Sequence, residues 1–88
     1  MITCRIIELP KLRKSGEFFM VIVPAIDGDW AVMEGHAPYR VALSAGEVRC
    51  YSNEDTIDFA YKIPGGLMIV DQRVAEIYAF SSPHVESE

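Results

Sequence analysis

An all-β fold, a flattened sandwich or barrel of short and mostly antiparallel strands, is predicted by three features of this sequence. Apolar and polar residues alternate with a period of two in several short runs, the pattern of strands with one buried face. Turn residues punctuate those runs at regular intervals. No window carries a convincing helical period. Many short strands with regular turns and no helix between them define an all-β sandwich or barrel.

The first strand is read at Ile2, Cys4 and Ile6, which alternate with Thr3 and Arg5. Pro10 ends it, and Lys11 to Lys14 forms a short basic patch around Leu12, an exposed edge or loop. Phe18 to Val23 is apolar at every position, so both faces of that strand want cover. A sandwich core covers only one of them. The face of Phe18, Met20 and Ile22 is therefore a candidate binding surface; burial under the protein's own loops is the plainer alternative. Ala25 to Asp29 is rich in turn residues.

Next come Trp30 and Val32, then a corner at Gly35 and Pro38. Glycine tolerates a positive φ there, and proline pushes Ala37 toward the extended region. Tyr39, Val41 and Leu43 alternate with Arg40, Ala42 and Ser44, and Gly46 turns the chain. Glu47 to Cys50 alternates again, Ser52 to Asp55 is a polar hairpin turn, and Ile57, Phe59, Tyr61 and Ile63 make the cleanest strand. Pro64-Gly65-Gly66 bends the chain ahead of Leu67 to Val70. Asp71-Gln72 turns it, and Arg73 to Phe80 completes the sheet. Glu76 breaks the apolar pattern of that last strand, which implies either a bulge or a wet face. The domain is read as residues 1–80, with a polar tail over 81–88.

Composition narrows the function. The 88 residues suffice for one domain. A chain of this length is expected to be stable by about 4–13 kcal/mol. Half the residues are hydrophobic and the net charge is −5. That balance argues against nucleic acid, whose phosphates require a basic surface, and against docking on anionic lipid. No signal peptide and no apolar run of membrane-spanning length is visible, so a soluble protein is expected, with any membrane association made through a partner. Cys4 and Cys50 have no metal-ligand spacing and fall at apolar positions of two strands. They read as reduced, buried thiols, and whether they approach each other is invisible in the sequence.

The stretch from Gly28-Asp29 through Gly-His-Ala-Pro at Gly35 to Pro38, on to Ala42-Leu43 and Gly46, also carries a family likeness. It resembles the ATP synthase epsilon subunit, the small central-stalk subunit of rotary F-type ATP synthases. Ser15-Gly16-Glu17 followed by Val21-Ile22-Val23-Pro24 is similar to an earlier part of that family, and Gly65-Gly66-Leu67 with Arg73-Val74 to a later one. Together these echoes cover residues 1 to about 80. Two departures stand out: Lys14 where the family often has an apolar or aromatic residue, and Glu76 where it has an apolar one.

The resemblance implies a non-catalytic rotor component at the foot of the central stalk. It would bind the gamma subunit and the ring of c subunits, and couple proton flow to ATP synthesis on the cytoplasmic face of the inner membrane. It places the ring contact at Asp29, with Asp27 and Glu34 as helpers and His36 as a further candidate there; the surplus apolar face of Phe18, Met20 and Ile22 is the part of the strand that gamma is expected to cover. The family usually continues into a two-helix hairpin that inhibits hydrolysis in many bacterial members and binds ATP in some. The sequence to Glu88 does not include that segment, so no ATP-binding residues are carried over and no cofactor is expected.

The residues by themselves leave plainer readings open. His36 can simply bond loop backbone, and Asp27, Asp29 and Glu34 can be a solvated acidic loop whose spacing fails as a calcium site. No nucleophile has an activating sequence context, and Gly65-Gly66 lacks the Lys-Ser/Thr of a phosphate loop. The rival functions are a free-standing ligand-binding β-sandwich module and a small enzyme on a barrel-like fold.

Overall fold

The computed structural model describes residues 1–81; the polar tail expected over 81–88 lies outside the described residues except for Ser81. Nine strands follow one another: β1 (Ile2–Glu8), β2 (Lys11–Phe18), β3 (Met20–Ala25), β4 (Gly28–Val32), β5 (Tyr39–Leu43), β6 (Gly46–Tyr51), β7 (Ile57–Ile63), β8 (Gly66–Val70) and β9 (Val74–Ala79). Hydrogen bonding runs β2-β1-β9-β8-β5-β3-β6-β7, and β4 pairs with β3. The link between β5 and β3 is a single residue pair, Ala25 with Leu43. That thin seam divides the sheet into two layers, β2-β1-β9-β8-β5 and β4-β3-β6-β7, curled onto each other. All pairings are antiparallel except β1 with β9.

The period of two decides which residues fill the space between the layers. Ile2, Cys4 and Ile6 of β1, Ala75 and Ile77 of β9, and Met68 and Val70 of β8 point inward from the first layer. Val21 and Val23 of β3, Val32 of β4, and Val48 and Cys50 of β6 meet them from the second. Fully burying one such aliphatic side chain contributes about 1.5–3 kcal/mol. The described residues include no buried polar or charged side chain in this core. Glu76 lies on the outer, wet face of β9, where Arg5 Nη1 donates to it at 2.9 Å and the Tyr78 hydroxyl at 3.1 Å. Its strand shows no register shift against either neighbour.

At two of its changes of layer the chain turns on glycines. Between β5 and β6, Pro24 fills the space over Gly46, where an added Cβ would come within 2.7 Å of the Pro24 Cβ. The Ser44 N–H donates to the Pro24 carbonyl at 2.8 Å and pins that corner. Between β7 and β8 the turn uses Gly65 and Gly66, with φ of 139° and 146°. The β2 edge is a strand from Lys11 onward, so the basic patch is edge strand rather than loop.

One expectation is corrected here. Phe18 to Val23 is not a single strand. The chain leaves β2 after Phe18 and enters β3 at Met20. Between them the Phe19 N–H donates to the Tyr51 carbonyl at 2.8 Å. This change of layer resets the alternation by one residue. Phe18 turns into the core, 3% exposed, while Val21 and Val23 of β3 are the buried pair and Met20 and Ile22 are half-buried. Phe18 therefore does not share an exposed face with Met20 and Ile22.

Candidate functional site

The candidate site is built on the β3–β4 hairpin and the corner that follows it. Only Ile26 and Asp27 separate the two strands, and Gly28, at φ 126°, lets so short a connection close. β4 then runs along the β3 edge and carries Asp29 and Trp30. Beyond it, the Gly35 N–H donates to the Gln72 carbonyl at 2.7 Å, tying the corner to the β8–β9 turn, and the His36 N–H donates to the Met33 carbonyl at 3.2 Å within the corner. Gly35 has φ 92°, the conformation anticipated for it.

Three rings gather along this edge. Trp30 and Tyr39 stack with centroids 5.1 Å apart and planes 17° from parallel. The His36 ring is tilted against Trp30 at 6.1 Å. Its Nδ1 donates to the Ala37 carbonyl at 2.7 Å, the backbone role that the residue type suggested. Beside the stack lies a shallow groove of about 290 Å³ whose walls include Asp27 and Arg40.

The acidic residues do not form one cluster. Asp27 is at the hairpin tip, before β4, and Glu34 follows its other end; a strand of five residues spans roughly 13 Å. The neighbours in sequence are thus held apart because β4 is extended. Asp29 Oδ2 accepts from Arg49 Nη2 at 2.9 Å across the outer face of the second layer, with the Asp29 side chain 62% exposed. Glu34 accepts a hydrogen bond from the Met1 amino group; that bond, and then the group's positive charge, hold the Glu34 carboxyl below its usual value. Met20 and Ile22 lie on the same outer face as Arg49, since Ile22 is paired with both Ala31 and Arg49, and Met20 with Tyr51.

Sequence reasoning missed Arg49, Arg40 and the Trp30–Tyr39 stack as parts of this region. The stack had a signal: Trp30 and Tyr39 flank a Gly/Pro corner that turns the chain from one strand to the next. The Arg49–Asp29 pair had none, because it depends on the alignment of β6 and β4 on either side of β3. Among the described residues, no three His, Cys, Asp or Glu side chains converge on a point where a metal could bind. The arrangement is one of an exposed Tyr39 ring beside half-buried Trp30 and His36, ion pairs and half-buried apolar side chains, the chemistry of a protein-contact surface.

The class is defined by a family comparison: residues 1–82 match the model described as ATP synthase, Delta/Epsilon chain, beta-sandwich domain. ATP synthase epsilon chains of Chlorobium limicola and Chlorobaculum tepidum are 42% and 40% identical to it. Those alignments cover 74% and 77% of this chain and 73% and 76% of the relatives. The chain belongs to the ATP synthase epsilon chain family. It spans 50% of the length of the Granulibacter bethesdensis epsilon chain, to which it is 34% identical over 76% of its own length. A chain in the cryo-EM structure of the Euglena gracilis mitochondrial ATP synthase, OSCP/F1/c-ring, shares the fold, with a TM-score of 0.78 at 20% identity. That superposition covers 89% of this chain and 49% of the other. A chain of the Tetrahymena thermophila central stalk and c-ring structure does so at 0.72 and 12%, over 91% and 63%.

Proposed function

We propose that this protein is a non-catalytic rotor subunit of a rotary ATP synthase, binding the gamma subunit and the c-ring and coupling proton translocation to ATP synthesis. It acts on the cytoplasmic face of the membrane and reaches that membrane only through the complex. The observation that carries the reading is the family match across the whole β-sandwich. The surface is consistent with it. Asp29 is exposed on an edge that also carries the half-buried rings of Trp30 and His36, an acidic and aromatic edge suited to a basic loop, and Met20 and Ile22 offer a half-buried apolar strip on the adjoining outer face. In this reading the edge faces the c-ring and the strip faces gamma, while Phe18 supports the strip from within the core. Asp27 and Glu34 lie at the margins of the edge.

Substituting Asp29 tests the ring-facing half. Asp29→Asn removes the charge, and Asp29→Arg sets a guanidinium against Arg49 and against any basic partner. An exposed ion pair is worth only ~0–1 kcal/mol, so the Asn variant is expected to weaken ATP-driven proton pumping modestly and the Arg variant more. Both should keep the circular dichroism of the folded domain. Pumping unchanged in membranes carrying Asp29→Arg would remove Asp29 from the ring contact. Failure of tagged protein to recover gamma and the catalytic-head subunits from its own cells would overturn the broader reading.

A further inference from the structure

The outer face of the first layer lies away from the proposed rotor contacts, and strand register defines what it carries. Ile6 and Ile77 are opposite each other and buried in the core, so the next pair, Ile7 and Tyr78, points outward. Leu12 of β2 adjoins that pair on one side and Leu67 of β8 on the other. The four make one apolar row across adjacent strands; Leu12 is 58% exposed and the other three are half-buried. Two residues along, about 7 Å away, Arg5 and Glu76 are opposite each other on the same face, Arg5 Nη1 lying 2.9 Å from Glu76 Oε2. Glu76 is a departure from the family's apolar pattern, and a surface ion pair adds little to the fold of one chain. The chain has a net charge of −5, yet the charges on this face cancel, Arg5 and Arg40 against Glu17 and Glu76.

We propose that this face joins two copies of the free chain about a two-fold axis that runs parallel to the strands, between β1 and β9. Such an axis sets β1 over the partner's β9 and β2 over the partner's β8. Row then falls on row. Ile7 meets the partner's Tyr78, Leu12 meets the partner's Leu67, and Arg5 meets the partner's Glu76, each contact occurring twice. The charges select this axis. Moved onto β1, it would set Arg5 against the partner's Arg5; moved onto β9, Glu76 against the partner's Glu76. One strand further, between β9 and β8, it would set Arg5 against the partner's Arg40. Like-charge contacts of that kind suppress association, so only the first placement satisfies both rows.

Four strands at their usual spacing give a flat footprint of roughly 400 Å² per copy. That is the low end of specific interfaces, so the dimer is weak and follows concentration. Sheets packed face to face in this way keep their strands nearly aligned, as an axis parallel to the strands requires. The β3–β4 hairpin and the strip of Met20 and Ile22 belong to the other layer and stay free. Self-association is therefore independent of the rotor reading.

The test is analytical ultracentrifugation of the purified full chain in dithiothreitol, from about 1 μM to about 1 mM. The mass should rise with concentration toward twice that of the monomer. Arg5→Glu and Glu76→Arg should each move the transition to concentrations about tenfold higher or more, with the circular dichroism of the wild type. Mixed in equal amounts, the two variants should associate with each other, because every contact then pairs opposite charges. A pair that acted only within one chain would give no such rescue, since each variant keeps its own like-charged pair. Leu12→Ser, at a position too exposed for the fold to depend on it, should weaken the dimer several-fold and serves if a charge variant fails to fold. Monomer mass at every concentration overturns the inference. So does a dimer that Leu12→Ser leaves unchanged, or a mixture of folded charge variants that stays monomeric.

Discussion

The Tyr61 hydroxyl donates to Glu8 Oε1 at 2.6 Å, and the same oxygen accepts from Arg13 Nε at 3.1 Å. Glu8 ends β1 and Tyr61 is in the middle of β7, so this contact bridges the two layers on the side where no backbone ladder joins them. Lys14 over Phe59 repeats the arrangement one step along the same opening. On the other side of the sandwich the Trp30–Tyr39 stack links β4 to β5. The fold is thus closed by side chains where its edges are unpaired.

Tyr61→Phe keeps the ring and deletes the bridge. A small drop in the urea midpoint with an unchanged m-value is expected, because the ring still packs on the core. The pH dependence follows from the sign of each shift. The hydrogen bond from Tyr61 is the main cause that lowers the Glu8 pKa from 4.5. Its stabilisation is present above 4.5 and is lost as pH falls through the lower folded value. Hydrogen bonding to Glu8 raises Tyr61 above 10.0, so that contribution is present below 10.0 and lost as pH rises through the higher folded value. The difference between wild type and Tyr61→Phe should therefore hold across neutral pH and shrink at both extremes, as read by urea titrations over pH.

Gly66→Ala should prevent folding. An added Cβ would be 1.9 Å from the Tyr78 carbonyl oxygen, and that backbone cannot retreat without breaking the β8–β9 ladder. Gly28→Ala is the matched control, with φ of 126° and open space around the new methyl. It should cost only the backbone term, about 1–3 kcal/mol. Soluble expression and circular dichroism of the two variants distinguish steric exclusion from conformational strain.

Ile77→Ala should lower stability by about 2–5 kcal/mol, the range for deleting a fully buried aliphatic side chain. Ile77 is fully buried between the layers, paired with Ile6 on one side and Met68 on the other. Ile77→Val should cost about 0.5–1.5 kcal/mol. Equal losses for the two variants, measured by urea unfolding, would show that the core at this point is not close-packed.

Asp71→Ala should loosen the β8–β9 turn. Asp71 Oδ1 accepts from the Arg73 and Val74 N–H groups, each at 2.9 Å, and these bonds hold its carboxyl below the usual 3.8. The stabilisation is present above 3.8 and disappears as pH falls through the lower folded value. Faster amide exchange at Arg73 and Val74 in the variant, with the distant β6–β7 turn unchanged, is the expected signature. Asn53 makes the equivalent bonds in that second turn, to the N–H groups of Asp55 and Thr56.

The sequence by itself determined the strands and their inward residues, because burial in a sandwich is written directly as alternation: Ile2, Cys4 and Ile6, or Val48 and Cys50, needed no partner to be identified. It also determined the turns at Gly35, Ser52 to Asp55 and Gly65-Gly66, where backbone conformation restricts the residue types. The Gly-His-Ala-Pro corner with its flanking echoes was enough to indicate the family. Only the tertiary structure decided the rest. The break at Phe19 sends Phe18 inward and leaves Met20 and Ile22 outside, since a change of layer resets a period that a continuous apolar run conceals. Asp27 and Glu34, close in sequence, are separated by an extended strand. Asp29 with Arg49 and Glu8 with Tyr61 meet through the pairing and curling of the strands. Those contacts depend on long-range register, which local patterning does not encode.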